Sequence, residues 1–377
     1  MSEPVRILHL LTTIIPNGGV QSLVLAYAAE TASHGVMFDY VVQGRGDPAL
    51  EQRQVEQGSR IFQVPDMVKH PFPFMKALYD LLKAHPEYQI LHIHQNFLNF
   101  IPLMAAKAAG VPVRISHSHN SYETSSAKQV LRKIARHVIL KDATETWACS
   151  ELAYEWLYGH PYAEGPHSYV LHNSIDVSRF AFQEERREAL RKETGLTDEF
   201  VCVCVAALTP RKNQSFLLDV MKCVQDRHPQ KPIRLWLVGD GESRAELEET
   251  CRTLGIGEMV RFLGIRKDVP DILLQADCFL LPSFAEGLPV SVVEAQVSGL
   301  PCILSAYVTR EVAFQKDLAF LEVGEEKTGL WAEQILRFSE TAVDRAAPLP
   351  EAFHYDIHRE AAKLSQAYRG LLKSRGN

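Results

Sequence analysis

The sequence predicts an α/β protein of two doubly wound parallel-sheet domains, and three observations carry that expectation. Short apolar runs alternate with helical patterns along all 377 residues, as parallel strands covered by helices require. The runs fall into two series separated by the polar, charge-rich stretch 176–199. The glycine-, histidine- and acid-bearing motifs follow the runs directly, at the strand ends where doubly wound sheets gather their ligands.

The first series comprises 5–11, 38–42, 61–64, 90–93 and 113–116, and the second 201–206, 233–238, 260–263, 278–281 and 302–305. Most are continuously apolar rather than alternating, which reads as strands buried on both faces. At about 150 residues per domain, the length suits two domains. The expected division is 1–177, joined by a C-terminal helix within 357–377, and 178–356.

Composition is that of an ordinary globular protein, 46% hydrophobic and 23% charged, with a net charge of −6 that gives no general reason for nucleic-acid binding. The N-terminal run has neither a basic leader nor a small-residue cleavage site, and no window approaches the eighteen apolar residues of a membrane span. The expected location is the cytoplasm, at most attached to the inner face of the membrane. The seven cysteines lie mostly in apolar elements and lack a Cys-x-x-Cys pair, so they read as reduced core residues.

The densest signal is 279–295, Phe-Leu-Leu-Pro-Ser-Phe-Ala-Glu-Gly-Leu-Pro-Val-Ser-Val-Val-Glu-Ala. A buried strand precedes Glu286, Pro289 suits the first helical position, and a helix then runs to Gly299. The helix thus starts between Glu286 and Glu294. Its free N–H groups and dipole favour an anion there, and Glu294 lies about five residues further in, at roughly 1.5 Å each. An acceptor, a set of donors and a second acceptor in series match a sugar, a diphosphate and a ribose.

The segment closely resembles the Glu-x7-Glu signature of family 4 glycosyltransferases, with Glu286-Gly287-Leu288-Pro289 and the trailing Glu-Ala-Gln-Val-Ser-Gly-Leu-Pro-Cys from Glu294 intact. The resemblance extends from the first strand to the C-terminal helix. It implies the GT-B fold, two Rossmann-like domains facing a central cleft with the last helix, about 357–373, crossing back onto the first. It also implies a retaining transfer from a nucleotide-sugar, with Glu286 holding sugar hydroxyls, Glu294 the ribose, and Gly287, Leu288, Pro289 and Val290 lining the donor.

Further donor-side residues follow from the same resemblance. Lys212 and Asn213 match the end of the family's Gly-Arg-Leu-x-x-x-Lys-Asn pattern, whereas Ala206 and Ala207 replace its Gly-Arg. The missing guanidinium removes a charge-assisted hydrogen bond of roughly 1.5 to 3 kcal/mol, and Arg211 is the candidate substitute. Gly239-Asp240-Gly241 matches a family turn, Arg266 falls in the loop beside the base, and Asp268 reads as the cap of the helix after it. Gly18 and Gly19 occupy the family's Gly-Gly loop after the first strand. That loop lacks the third glycine of a dinucleotide fingerprint, which excludes a nicotinamide dehydrogenase.

Two His-x-His pairs, His92/His94 and His117/His119, close strands of the first domain. The family places a functional histidine after the second of these strands, so His119 is the first choice and His117 the second. Four histidines at this spacing also raise zinc, but no acidic or cysteine ligand accompanies them. No metal is expected: Lys212, Arg211 and the helix start would stabilise the departing diphosphate.

The stretches 113–120, 148–151 and 156–159 resemble the exopolysaccharide and capsule branch of the family. The partners implied are a UDP-sugar and a saccharide or lipid-linked acceptor. Lys128, Arg132, Lys133, Arg136 and Lys141 among Val130, Leu131, Ile134, Val138, Ile139 and Leu140 form a basic amphipathic pattern suited to a membrane surface as well as to an ordinary domain helix. A sugar-nucleotide binding module without turnover, an epimerase of the same fold and a two-lobed solute-binding protein are the competing classes. The last of these needs an export signal.

Overall fold

A computed structural model of the chain describes residues 4–15, 19–121, 125–347 and 349–374. It divides into two compact units, Met1–Ser174 with Asp356–Asn377, and Ile175–Tyr355.

The first unit holds seven strands: β1 (Val5–Leu11), β2 (Val36–Val42), β3 (Ile61–Gln63), β4 (Ile90–Ile93), β5 (Val113–Ser118), β6 (Glu145–Ala148) and β7 (Ser168–Val170). All pair in parallel, in the order β3-β2-β1-β4-β5-β6-β7. The second holds β8 (Phe200–Val205), β9 (Ile233–Val238), β10 (Val260–Gly264), β11 (Cys278–Leu281), β12 (Cys302–Ser305) and β13 (Leu318–Leu321), again parallel, in the order β10-β9-β8-β11-β12-β13. Both are doubly wound, with the winding reversing between β1 and β4 and between β8 and β11.

The continuous apolar runs behave as their composition dictates. β4, β11 and β12 are buried at every position. The strands the sequence reading omits are short or edge elements: β6 starts on a glutamate, β7 has three residues, and β13 is half-buried throughout. β6 and β7 offer no continuous apolar run, whereas β13, Leu-Ala-Phe-Leu, does offer one that the sequence reading passes over.

The polar stretch 176–199 is not a bare connector. Its helix Glu184–Glu193 buries no residue of its own, yet its arginines fasten it to the second unit. Arg187 Nη2 and Arg191 Nη1 meet the Asp277 carboxylate at 2.5 and 3.1 Å, and Val201 N donates to the same group at 2.8 Å. Polar composition here records a helix held by charge rather than by apolar packing.

The helix Ile357–Lys373 belongs to the first unit, where Ile357, Ala361, Leu364 and Tyr368 join Ile7, Tyr27 and Phe38 in the core. Asp356 caps it by accepting from His358 N. The amphipathic spacing of those four residues is what turns one stripe inward.

Asp277→Ala leaves two partly buried guanidiniums without their shared carboxylate. It is expected to destabilise the second unit by about 3 kcal/mol or more, read as a lower urea midpoint; an unchanged midpoint would show that the arginines find equivalent partners.

Candidate active site

At the carboxyl end of β8, a 3-10 turn (Pro210–Lys212) ends on Asn213, whose φ of 57° is left-handed. The turn sends consecutive cations to different places. Lys212 is only 15% exposed and its Nζ lies 2.5 Å from Glu286 Oε1; Arg211, 54% exposed, has its Nη1 3.5 Å from Glu286 Oε2 and donates at 2.7 Å to Ala285 O. Phe284 N donates to Arg211 O at 3.0 Å, and Asn213 Nδ2 to Pro282 O at 3.3 Å. The loops after β8 and β11 are therefore one bonded structure, with Glu286 buried between two cations. Arg211 thus reaches the same carboxylate as Lys212, from a more exposed position.

The helix after Glu286 runs Val290–Val297, with Pro289 as its cap residue (φ −73°, ψ 108°) rather than its first helical residue. Proline carries no side-chain acceptor, so no side chain caps the first turn, whose amides and positive dipole end stand beside Glu286. Gly287 and Val290 are half-buried there and Leu288 is buried.

Glu294, half-buried on the same helix, makes no side-chain hydrogen bond among the described residues. Burial pushes its carboxyl up to about 7, against a pull downward from Arg179. A carboxyl so placed is open to a hydroxyl-bearing ligand.

Gly239 and Gly241 close the turn after β9 for a steric reason. A Cβ on Gly239 would stand 2.1 Å from Ala206 O, and one on Gly241 2.3 Å from Leu208 O; Gly239 also has a φ of +132°. Leu208 N donates to Asp240 O and Ser243 N to Leu208 O, each at 3.0 Å. These glycines thus admit the β8 loop that bears Lys212. Arg266 Nε pairs with Asp268 Oδ1 at 2.8 Å. The expected cap at Asp268 does not form: the residue sits at the start of helix Val269–Gln275, but its carboxylate serves Arg266 instead.

In the first unit, Gly18 lies outside the described residues. Gly19 opens the helix Gly19–Ser33, and a Cβ there would meet nothing within 4 Å, so packing does not account for the glycine. The histidines at the ends of β4 and β5 form a connected buried cluster that takes in His9 of β1, which the sequence reading passed over. His9 pairs in register with His92; its signal was a lone ring nitrogen pair inside the apolar run 5–11. One row runs His119 Nε2 to His94 Nδ1 (2.9 Å) and His94 Nε2 to His9 Nδ1 (3.0 Å). The other runs His117 Nδ1 to His92 Nε2 (2.9 Å) and His92 Nδ1 to Tyr368 Oη (2.7 Å). The rows stack, with ring centroids 4.1 Å apart for His117/His119 and 4.3 Å for His92/His94. Burial holds all five rings below the usual histidine range, His9 at about 3.

Two histidine trios, His9/His92/His94 and His94/His117/His119, bring nitrogens within 4.8 Å of one another. His94, common to both trios, already bonds His9 through Nε2 and His119 through Nδ1, so a metal held by His94 would have to displace a ring-to-ring bond.

Two Rossmann-like units, the second with a lysine–glutamate pair at an uncapped helix start, define a glycosyltransferase of the GT-B fold. Residues 17–179 match the model described as Glycosyltransferase Family 4, and 199–340 that described as Glycosyl transferases group 1. EpsF of Bacillus subtilis, named as a glycosyltransferase, is 31% identical over 376 residues, covering 97% of each chain. The UDP-Gal:alpha-D-GlcNAc-diphosphoundecaprenol alpha-1,3-galactosyltransferase of Escherichia coli is 29% identical over 238 residues, covering 61% of this chain and 60% of its own. In fold, the chain is similar to Anabaena Alr3699/HepE in complex with UDP (TM-score 0.79, 19% identity, 97% of this chain and 100% of that one). The chain belongs to glycosyltransferase family 4.

Glu294 gives this site a pH signature. Its folded pKa of about 7 exceeds the ordinary 4.5, so the native state holds the proton more tightly and stability falls as pH rises from 4.5 to 7, the loss being complete above 7. Glu294→Gln should remove that slope, leaving the variant about 2 to 3 kcal/mol more stable relative to wild type at pH 8 than at pH 4. Chemical denaturation at the two pH values measures it, and equal differences would refute the buried carboxyl.

Proposed function

We propose that the chain transfers a sugar, with retention of configuration, from a UDP-sugar to a saccharide or lipid-linked oligosaccharide in exopolysaccharide or capsule biosynthesis. The observation that carries this reading is the Lys212–Glu286 pair beside the uncapped start of helix Val290–Val297. The name of the galactosyltransferase relative, with its UDP-Gal donor and diphosphoundecaprenol-linked acceptor, and the UDP complex of the structural neighbour support the nucleotide and the lipid-linked acceptor.

Lys212 and Glu286 compensate one another's charge. A bound donor competes for both: its diphosphate for Lys212, Arg211 and the helix amides, its sugar hydroxyls for Glu286. As the glycosidic bond breaks, charge grows on the diphosphate, and fixed donors stabilise it without reorganising. The acceptor hydroxyl attacks from the face the diphosphate leaves, which preserves configuration. Glu294 receives the ribose hydroxyls. The second unit, assigned as 178–356 from the sequence, serves the donor, and the first the acceptor through His119 and His117.

A membrane-surface role draws on helix Ser126–Asp142. Ala135 and Ile139 face the core, while Val130 and Ile134 are 59% and 61% exposed, flanked by exposed Leu131, Leu140, Lys128, Lys133 and Lys141. Arg132 and Arg136 do not share that surface. Arg132 donates to Trp156 O and Arg136 Nε to Leu157 O at 2.9 Å, satisfying the end of helix Glu151–Tyr158. Among the described residues no helix is long and apolar enough to cross a membrane.

Glu286→Gln and Lys212→Ala are each expected to lower transfer by at least tenfold, about 1.4 kcal/mol of transition-state stabilisation, assayed with UDP-sugars and anomeric NMR of the product. Near-wild-type rates in both, or an inverted product, would reject the mechanism. Replacing Lys128, Lys133 and Lys141 by Glu should weaken pelleting with phosphatidylglycerol vesicles by about a hundredfold, at about 1 kcal/mol per lysine; undiminished pelleting would reject the membrane face.

A further inference from the structure

The histidine row that ends on His119 contains a proton-counting problem with one best solution. Each neutral imidazole carries a single proton, so along a row of ring-to-ring bonds the choice at one end dictates the tautomer at every other ring. Both rows end inside the protein on a nitrogen without a partner, His9 Nε2 in one and His117 Nε2 in the other.

In the row His9–His94–His119 the buried end decides. A proton on His9 Nε2 would be a buried donor with no acceptor, whereas a bare lone pair there is the lesser cost, since orphaned N–H groups are the rarer defect in proteins. His9 therefore carries its proton on Nδ1 and donates to His94 Nε2. His94 then carries its own on Nδ1 and donates to His119 Nε2. His119, the one ring of the five that is not fully buried, is left with its proton on Nδ1.

The second row has no orientation free of cost: donation from the Tyr368 hydroxyl to His92 Nδ1 leaves a buried proton on His117 Nε2 without an acceptor, and the opposite direction leaves the Tyr368 O–H without one among the described residues.

We propose that His9 and His94 are positioning residues that hold His119 as the neutral Nδ1–H tautomer, making it a hydrogen-bond donor to a hydroxyl or phosphoryl oxygen of the bound sugar compounds and not a base. The functional part of this rests on the assignment of His119 to the substrate side of the first unit; the tautomer does not. Desolvation of the ladder supports a neutral ring, because an imidazolium among stacked imidazoles has no counter-charge within the rows.

Selective 15N-histidine labelling tests it, with long-range 1H–15N correlation at pH 7 and assignment by His119→Gln. The wild-type spectrum should show His119 protonated on Nδ1 and bare on Nε2. His94→Phe keeps a ring in the core but removes the donor to His119 Nε2; His119, which is not fully buried, should become a mixture of tautomers and kcat should fall about tenfold with donor KM little changed. His94→Asn, whose Nδ2 stands where the imidazole Nδ1 stood, should restore both the single tautomer and the rate. A wild-type His119 protonated on Nε2, or on both nitrogens, overturns the proposal even if His94→Phe does not fold. So does an unchanged tautomer in a folded His94→Phe. A locked Nδ1 tautomer in a protein that transfers no sugar would instead reject the glycosyl-transfer reading and leave the relay standing.

Discussion

In a parallel sheet every strand delivers its following loop to the same edge, and where the winding reverses, neighbouring loops leave in opposite directions. That reversal is the constraint on which both sites rest. It falls between β8 and β11 in one unit and between β1 and β4 in the other. The loops bearing Lys212 and Glu286 flank the first reversal, and His9 and His94 flank the second. Neither pair of residues is near in sequence. The topology alone makes them neighbours.

The two sites solve the cost of burying polar groups differently. In the second unit opposite charges neutralise one another: Glu286 lies 7% exposed against Lys212 at 15%, an arrangement that exchanges partners when an anion and hydroxyls arrive together. In the first unit the polar rings stay uncharged and satisfy one another, so the sheet carries five imidazoles through its core. Charge sits where a diphosphate could meet it, and neutrality where a hydrogen bond must keep a fixed direction.

Much of this was legible in the sequence. Continuous apolar runs identified ten of the thirteen strands because burial on both faces leaves a dense signal; β6 and β7 were missed because polar-started strands leave little, while β13 carries an apolar Leu-Ala-Phe-Leu run that was overlooked. Glu286, Lys212 and Glu294 stood out through spacing against a strand end and a helix start. What the sequence could not carry was direction. Arg211 and Lys212 are adjacent and alike in charge, yet the 3-10 turn sends one inward and the other outward. Gly239 and Gly241 matched a donor-side family turn, and only the fold shows that their bareness also admits a neighbouring loop. His9 gave no signal inside the apolar run of β1, because only strand register shows it to be the end of a row.

Tyr368 deserves a last consideration, since it comes from the final helix and bonds to His92 in the middle of the first sheet. During synthesis the N-terminal sheet emerges long before this tyrosine does, with the whole of the second unit made in between. Until the ribosome delivers the closing helix, Ile7, Phe38 and the inner imidazoles lack their cover. Translation order therefore sets a folding order in which the second unit can finish first, and the unit begun earliest is sealed last.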